Sequence, residues 1–359
     1  MFFNSINIYN TYLKHLLNVP NLFYWQYLCH NYNFLTFFHV VFPFSSFILY
    51  DMEDLNQTSS NRFILIGLTN IPYLQAIYVS LFFIIYITTL AGNSLLIIVV
   101  RINEQLQTPM YLLLSNLSIL DICLSSNIAP RIMINTLSQD RSISLFDCAL
   151  QMFFHLAVGG TECLILAVMA YDRYAAICQP LHYNTVMNKT FCICMAAGSW
   201  ILSFISAFLH VYFTFQLPYC RSHNVNHYFC EMPSFFRLSC RDTWPNDLAN
   251  FITAGIIAMC SFLLTLISYI HIILTILKIR SNEGRQKSFS TCTSHLTVVS
   301  LFYGTILFIY MIPNSANSSN TLSIIYSTVI PMLNPIIYSM RNKDVKSTIR
   351  KQMKNKNYF

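Results

Sequence analysis

Met169-Ala-Tyr-Asp-Arg-Tyr-Ala-Ala-Ile-Cys-Gln-Pro-Leu-His-Tyr183 is the stretch on which the reading of this chain turns. It follows a long hydrophobic run and sets Asp172-Arg173-Tyr174 where an apolar helix would meet water. Ionised side chains are costly in hydrocarbon, so an adjacent acid and base belong at such a boundary. There the pair can lock a helix end and be unlocked.

The rest of the chain supplies that helix with neighbours. The 359 residues are 55% hydrophobic and 10% charged, with a mean hydropathy of +0.50. A soluble domain carries about 25% charged residues, so this chain cannot clothe a water-facing surface and is read as a membrane protein. Its apolar runs approach the ~20 residues a helix needs to cross a bilayer. The ~10-residue alternating segments of an outer-membrane barrel are absent. Seven spans are expected, at about 75–100, 109–130, 146–178, 190–212, 247–278, 288–312 and 319–340.

Lys and Arg in the short loops set the expected orientation. Between the fifth and sixth spans stand Lys278, Arg280, Arg285 and Lys287 against Glu283. The tail carries Arg341, Lys343, Lys346, Arg350, Lys351, Lys354 and Lys356 against Asp344. The loop Pro313 to Thr321 has no charge. The carboxyl end and the loop between spans five and six therefore face the cytoplasm, and the other terminus faces outward. The net charge of +7 is mostly this bias and does not point to nucleic acid.

The first 51 residues hold 16 of the 54 aromatic residues. That is the composition of AT-rich DNA translated without selection, and residues 1–51 are read as an atypical extension outside the mature protein. Met52-Glu-Asp-Leu-Asn-Gln-Thr-Ser is a second start, which leaves 52–74 as an outer segment with a glycosylation sequon at Asn56.

Further motifs stand in order along the chain: Leu106-Gln-Thr-Pro-Met-Tyr111, Lys287-Ser-Phe-Ser-Thr-Cys-Thr-Ser-His-Leu296 and Pro331-Met-Leu-Asn-Pro-Ile-Ile-Tyr-Ser-Met-Arg-Asn342. With Met169–Tyr183 they resemble the signatures of olfactory receptors, within the rhodopsin-like G-protein-coupled receptors, and the opening around Phe63-Ile-Leu-Ile-Gly-Leu looks like their tetrapod-type class. The chain departs at Ala175, Gln107 and Ser288, where Val, His and Ala are usual. The resemblance implies a seven-transmembrane helix bundle, all-α, with a short amphipathic helix in the 341–359 tail. The recurrence of Val345, Ile349 and Met353 every four residues fits such a helix lying on the inner leaflet. It also implies an odorant receptor in the plasma membrane that binds a small hydrophobic ligand, activates a stimulatory G protein and raises cAMP, without catalysis or a cofactor.

Of twelve cysteines, Cys148, Cys220, Cys230 and Cys240 fall on the expected outer side. Spacing alone permits three connectivities; the resemblance implies Cys148–Cys230 and Cys220–Cys240. Buried polar residues at membrane depth mark function, and here they are Asn93 and Asp121. In the family Asp121 joins Asn93 and Asn334, with Glu162 facing the same pocket. Two carboxylates so placed share a proton or a cation such as Na+, or they serve plain structural hydrogen bonding.

Glu162 and Arg173 are 11 residues apart, three helical turns, and share a helix face. By resemblance Arg173 pairs with Asp172 at rest beside Tyr174 and meets the G protein when released, with Tyr269 and Tyr338 swinging in. Pro335 removes a backbone hydrogen bond and makes a hinge. The ligand pocket implied by the family comprises His155, Leu156, Gly159 and Gly160, then Thr253 and Ile257, then Tyr303, Ile306, Leu307 and Tyr310, then Ile324, Ser327 and Thr328. Gly159-Gly160 either deepens that pocket or lets the third helix pack closer to a neighbour. The competing readings are a seven-helix transporter or channel, from which internal repeats are missing, and a non-olfactory chemosensory receptor.

Overall fold

The computed structural model describes residues 62–220, 223–311, 322–341, 345, 347 and 348, and of residues 287, 290, 291, 308–311, 340 and 341 the backbone only. The expectations for 1–51, for the Met52 start, for Asn56 and for Ile349 and Met353 lie outside them. Among the described residues the bundle consists of α1 (Pro72–Ile102), α2 (Pro109–Leu137), α3 (Leu145–Cys178), α4 (Lys189–Phe215), α5 (Trp244–Lys278), α6 (Asn282–Met311) and α7 (Ile330–Arg341), the last entered through a π turn at Ile325–Val329. The chain is a multi-pass membrane protein. α1 to α5 and the segment Leu322–Ser339 are long and apolar enough to cross a bilayer, while the apolar part of α6 is the shorter run Cys292–Leu307.

Local chemistry sets the ends. Pro72 and Pro109 open α1 and α2, where a missing N–H costs nothing. Ser144 accepts from the Asp147 amide at 3.0 Å to cap α3, and Asn188 accepts from the Phe191 amide at 2.8 Å to cap α4. α6 begins at Asn282 rather than 288, because the Ser281 hydroxyl accepts the Gly284 amide at 3.2 Å and Asn282 takes the Arg285 guanidinium at 2.8 Å. α2 runs to Leu137, past its expected end at Pro130. Its last two turns are buried through Ile132, Asn135 and Thr136. Gly67 lies against them so closely that a Cβ there would stand 2.9 Å from the Asn135 carbonyl.

α3 is the axle, packed on α2, α4 and α5. In its most apolar window 61% of residues are buried, against 28% in α1, α4 and α5. Those three turn Ile84, Phe83, Ile205, Phe213, Leu264 and Ile267 outward, the apolar exterior that lipid covers.

The end of the bundle expected to face outward carries something the all-helical reading lacks. β1 (Arg62–Leu65) pairs antiparallel with β2 (Ser142–Ser144) and parallel with β3 (Asn224–Val225), in the order β2-β1-β3. Phe63 leaves this sheet edge-on to Tyr219 and Phe235, with centroids at 5.6 and 4.9 Å. Disulfides Cys148–Cys230 and Cys220–Cys240, with Cα separations of 5.5 and 5.7 Å, stitch the long loop between α4 and α5 to α3 and to itself. The Cys230 amide also donates to Gln151 Oε1 at 2.9 Å. The result is a lid with its own apolar core.

Candidate functional site

Three constellations lie along α3. Beneath the lid is a cavity of about 250 Å³. Six of the expected pocket residues line it: His155, Leu156, Gly159, Gly160, Ile257 and Ile306.

The others sit elsewhere. α5 presents Asn250, Ala254, Ile257 and Ala258, one helical face, so Thr253 falls on its shoulder. There its exposed hydroxyl meets His210 Nε2 at 2.6 Å. Tyr303 is buried and donates to the Cys163 carbonyl at 3.4 Å. Leu307 is on the exposed side of α6, and Ile324 packs into the core. Ser327 and Thr328 are buried and turn their hydroxyls onto their own helix, bonding the Ser323 and Ile324 carbonyls at 2.6 and 2.7 Å. In their place Ser323 and Tyr326, each one position before an expected residue, form the wall, and Tyr326, Ser327 and Thr328 lie within the π turn, whose extra residue departs from the α-helical face. The side chain of Tyr310 lies outside the described residues.

Two walls escaped the sequence. α4 contributes Ser203, Ser206, Ala207 and His210, and the lid contributes Glu231, Met232 and Pro233. One signal was available, since Glu231 follows Cys230 and the disulfide fixes both above α3. The Glu231 carboxyl accepts from Ser234 at 3.2 Å and lies 3.3 Å from His227 Nε2. Burial pushes Glu231 up to about 7 and holds His227 down at about 4. The two glycines divide the readings offered for them. A Cβ on Gly160 would meet Ser203 Oγ at 3.1 Å, so that glycine lets α3 and α4 close together. A Cβ on Gly159 would meet only the Tyr326 hydroxyl, at 3.1 Å.

Deeper along α3 lies a buried polar cluster. Asn334 Nδ2 donates to both Asp121 oxygens, at 2.9 and 3.1 Å. Tyr326 donates to Glu162 Oε2 at 3.2 Å. Pro335 has no N–H for the Pro331 carbonyl four residues back, and Asn93 Nδ2 fills that vacancy from α1 at 3.1 Å. Gly92 permits the approach, for its Cβ would stand 3.0 Å from Pro335 Cγ. Asn93 Oδ1, Glu162 Oε1 and Asn334 Oδ1 remain buried without hydrogen bonds among the described residues. A set of oxygens including two carboxyls is the chemistry that suits a hard cation or water.

At the opposite end of α3 from the lid Arg173 forms an ion pair with Asp172, its Nε at 2.8 Å from Oδ2. The second Asp172 oxygen accepts from Tyr183 at 2.9 Å, a partner the sequence held in view without a role. Burial and the Asp172 charge raise the Tyr183 phenol and keep it a donor. Tyr174 faces His271 at 5.8 Å and accepts from Gln179. Tyr269 on α5 bonds His295 Nδ1 on α6 at 2.7 Å. The buried Tyr338 hydroxyl has no hydrogen bond among the described residues. Val345 is buried against the main core, and Asn103 donates to Thr348 at 2.8 Å, tying the start of the tail to the loop after α1.

With this geometry in place, comparison with known proteins is specific. A family model described as olfactory receptor matches residues 82–356. The chain is similar to human olfactory receptor 5B12, 48% identical over 299 residues, covering 82% of this chain and 95% of that one. Human olfactory receptor 5G3 is 43% identical over 311 residues, covering 86% and 99%. Gorilla gorilla gorilla olfactory receptor 1E2 is 46% identical over 313 residues, covering 86% and 99%.

Proposed function

The chain belongs to the olfactory receptor family, a family of non-enzymatic receptors, and from that premise we propose that the cavity beneath the lid takes a small, mostly apolar odorant and that its occupation opens the inner end to a stimulatory heterotrimeric G protein, raising cAMP. The observation that carries this reading is that α3 bears both sites. His155, Gly159 and Gly160 wall the cavity at one end, and Asp172–Arg173 closes the other. Apolar walls with a few polar groups are what a small hydrophobic ligand needs.

In this reading α6 swings outward, Asp172 releases Arg173, and Tyr269 leaves His295. The amino end and the lid are outside, where cysteines are oxidised, and the basic loop and tail are inside. Asn56 carries a glycan. A Na+ ion or a water among Asp121, Glu162, Asn93 and Asn334 steadies the resting state.

The test is a cAMP reporter screen of odorants on cells expressing the chain. Gly160→Leu, which drives a side chain into Ser203, is expected to weaken response to any active odorant at least tenfold. Arg173→Ala is expected to abolish response while surface labelling persists. A full response from Arg173→Ala refutes the coupling mechanism.

A further inference from the structure

One residue belongs to both upper constellations. Tyr326 lines the ligand cavity and also supplies the only hydrogen bond that Glu162 receives among the described residues. Its backbone lies in the π turn, where the Ile330 amide reaches back to the Ile325 carbonyl. Such turns are rare and recur at functional sites, because the helix can shed the extra residue's strain by shifting register. Directly against the hydroxyl is Gly159, where a Cβ would stand 3.1 Å away, so its missing side chain leaves the tyrosine its place. The ring is steadied by Phe302 at 5.7 Å and His155 at 6.2 Å.

We propose that Tyr326 is the positioning residue that reports cavity occupancy, holding Glu162 at rest and releasing it when a ligand crowds the space beside Gly159. The proposal rests on the receptor reading above and adds the step between ligand and switch. With Tyr326 displaced, Glu162 loses its one hydrogen bond, and a buried carboxyl left without partners seeks others. The Asp121–Asn334 pair lies within electrostatic reach of Glu162, and Asn334 stands eight residues beyond Tyr326 in the chain. The tie joins α3 to α7, so breaking it frees α7 to turn at the π turn and at Pro335. A ligand acts here only through its different fit to the two positions of this one side chain.

The experiment needs no odorant. Ligand-independent cAMP is measured at matched surface expression in Tyr326→Phe, Gly159→Ala and the double variant. Loss of one buried hydrogen bond to a carboxyl in Tyr326→Phe is expected to raise basal signalling roughly tenfold. Gly159→Ala is expected to raise it as well, because its methyl carbon would press on the hydroxyl. The double variant should stand no higher than Tyr326→Phe alone, since the hydroxyl that alanine strikes is gone. A merely structural tyrosine gives no such epistasis. Basal signalling at the wild-type level in Tyr326→Phe overturns the proposal, as does a double variant showing the product of the two single effects. Should Tyr326→Phe fail to reach the surface, an unchanged basal level in Gly159→Ala overturns it alone. Arg173→Ala separates the two layers. Wild-type signalling that ignores Arg173→Ala refutes the receptor coupling, while Arg173-dependent signalling that ignores Tyr326→Phe refutes the relay only.

Discussion

The two ends of the bundle are built on opposite principles. The end expected to face outward is held by two covalent disulfides, backed by three paired strands and an aromatic cluster around Phe63 and Phe235. The inner end is held by the Asp172–Arg173 pair, the Tyr183 hydroxyl, the Tyr269–His295 bond and a tail contact at Asn103. α5 and α6 are joined there by residues 279–281 alone. In the proposed reading the cavity keeps its shape while the far end moves, and bonds of about 1 kcal/mol net can be exchanged where disulfides cannot.

The sharpest way to break this contrast is to cut the lid. Cys148→Ser opens a link between positions 82 residues apart, worth about 4.5 kcal/mol by loop closure. It is expected to remove most protein from the cell surface. Cys220→Ser opens a span of 20 residues, worth about 3 kcal/mol, and should cost less in melting temperature and surface labelling. An inverted order would mean that the inner loop of the lid, and not its tether to α3, holds the outer end.

Next comes Asp172→Asn, which leaves Arg173 without its anion. Surface expression should persist and basal cAMP should rise about tenfold, as for a bond exchanged in signalling. If this variant instead fails to fold, the inner end is as structural as the outer.

The lid's titration gives a smaller effect. Glu231 is raised from 4.5 to about 7, so its contribution is complete at low pH and is lost as pH rises through 7. His227 is lowered from 6.5 to about 4, so its contribution is complete above 6.5 and is lost as pH falls toward 4. The two oppose one another between 4.5 and 6.5, and melting temperature should be flat there and decline above it. Glu231→Gln should abolish the decline above pH 6.5, which melting curves in detergent will read. Smallest is Tyr183→Phe, where the loss of one hydrogen bond, about 1 kcal/mol, should raise basal cAMP less than Asp172→Asn does.

Legibility in the sequence follows the same physics. The spans were readable within a few residues because the bilayer demands a fixed apolar length. Their extensions were not, since Ser281 capping and the cover that Gly67 gives to α2 are local or tertiary matters. Asp121 was readable as a polar residue where none is cheap, the family resemblance implied Asn334 as its partner, and the two do bond. The cavity was half readable. His155, Gly159 and Gly160 are on its wall, but Ser327 and Thr328 are turned away by a π turn that leaves no mark in composition.

What the sequence determined by itself was therefore whatever lipid and water impose: which segments cross, where charge collects, and which polar groups must find partners. The rotation of each helix, the walls given by α4 and the lid, the Asn93 bond to Pro331 and the double duty of Tyr326 were decided only in the folded bundle. The reason is that lipid tails are as apolar as the side chains of a helix core. A helix in a membrane thus has little hydrophobic contrast between its two faces to say which one turns inward.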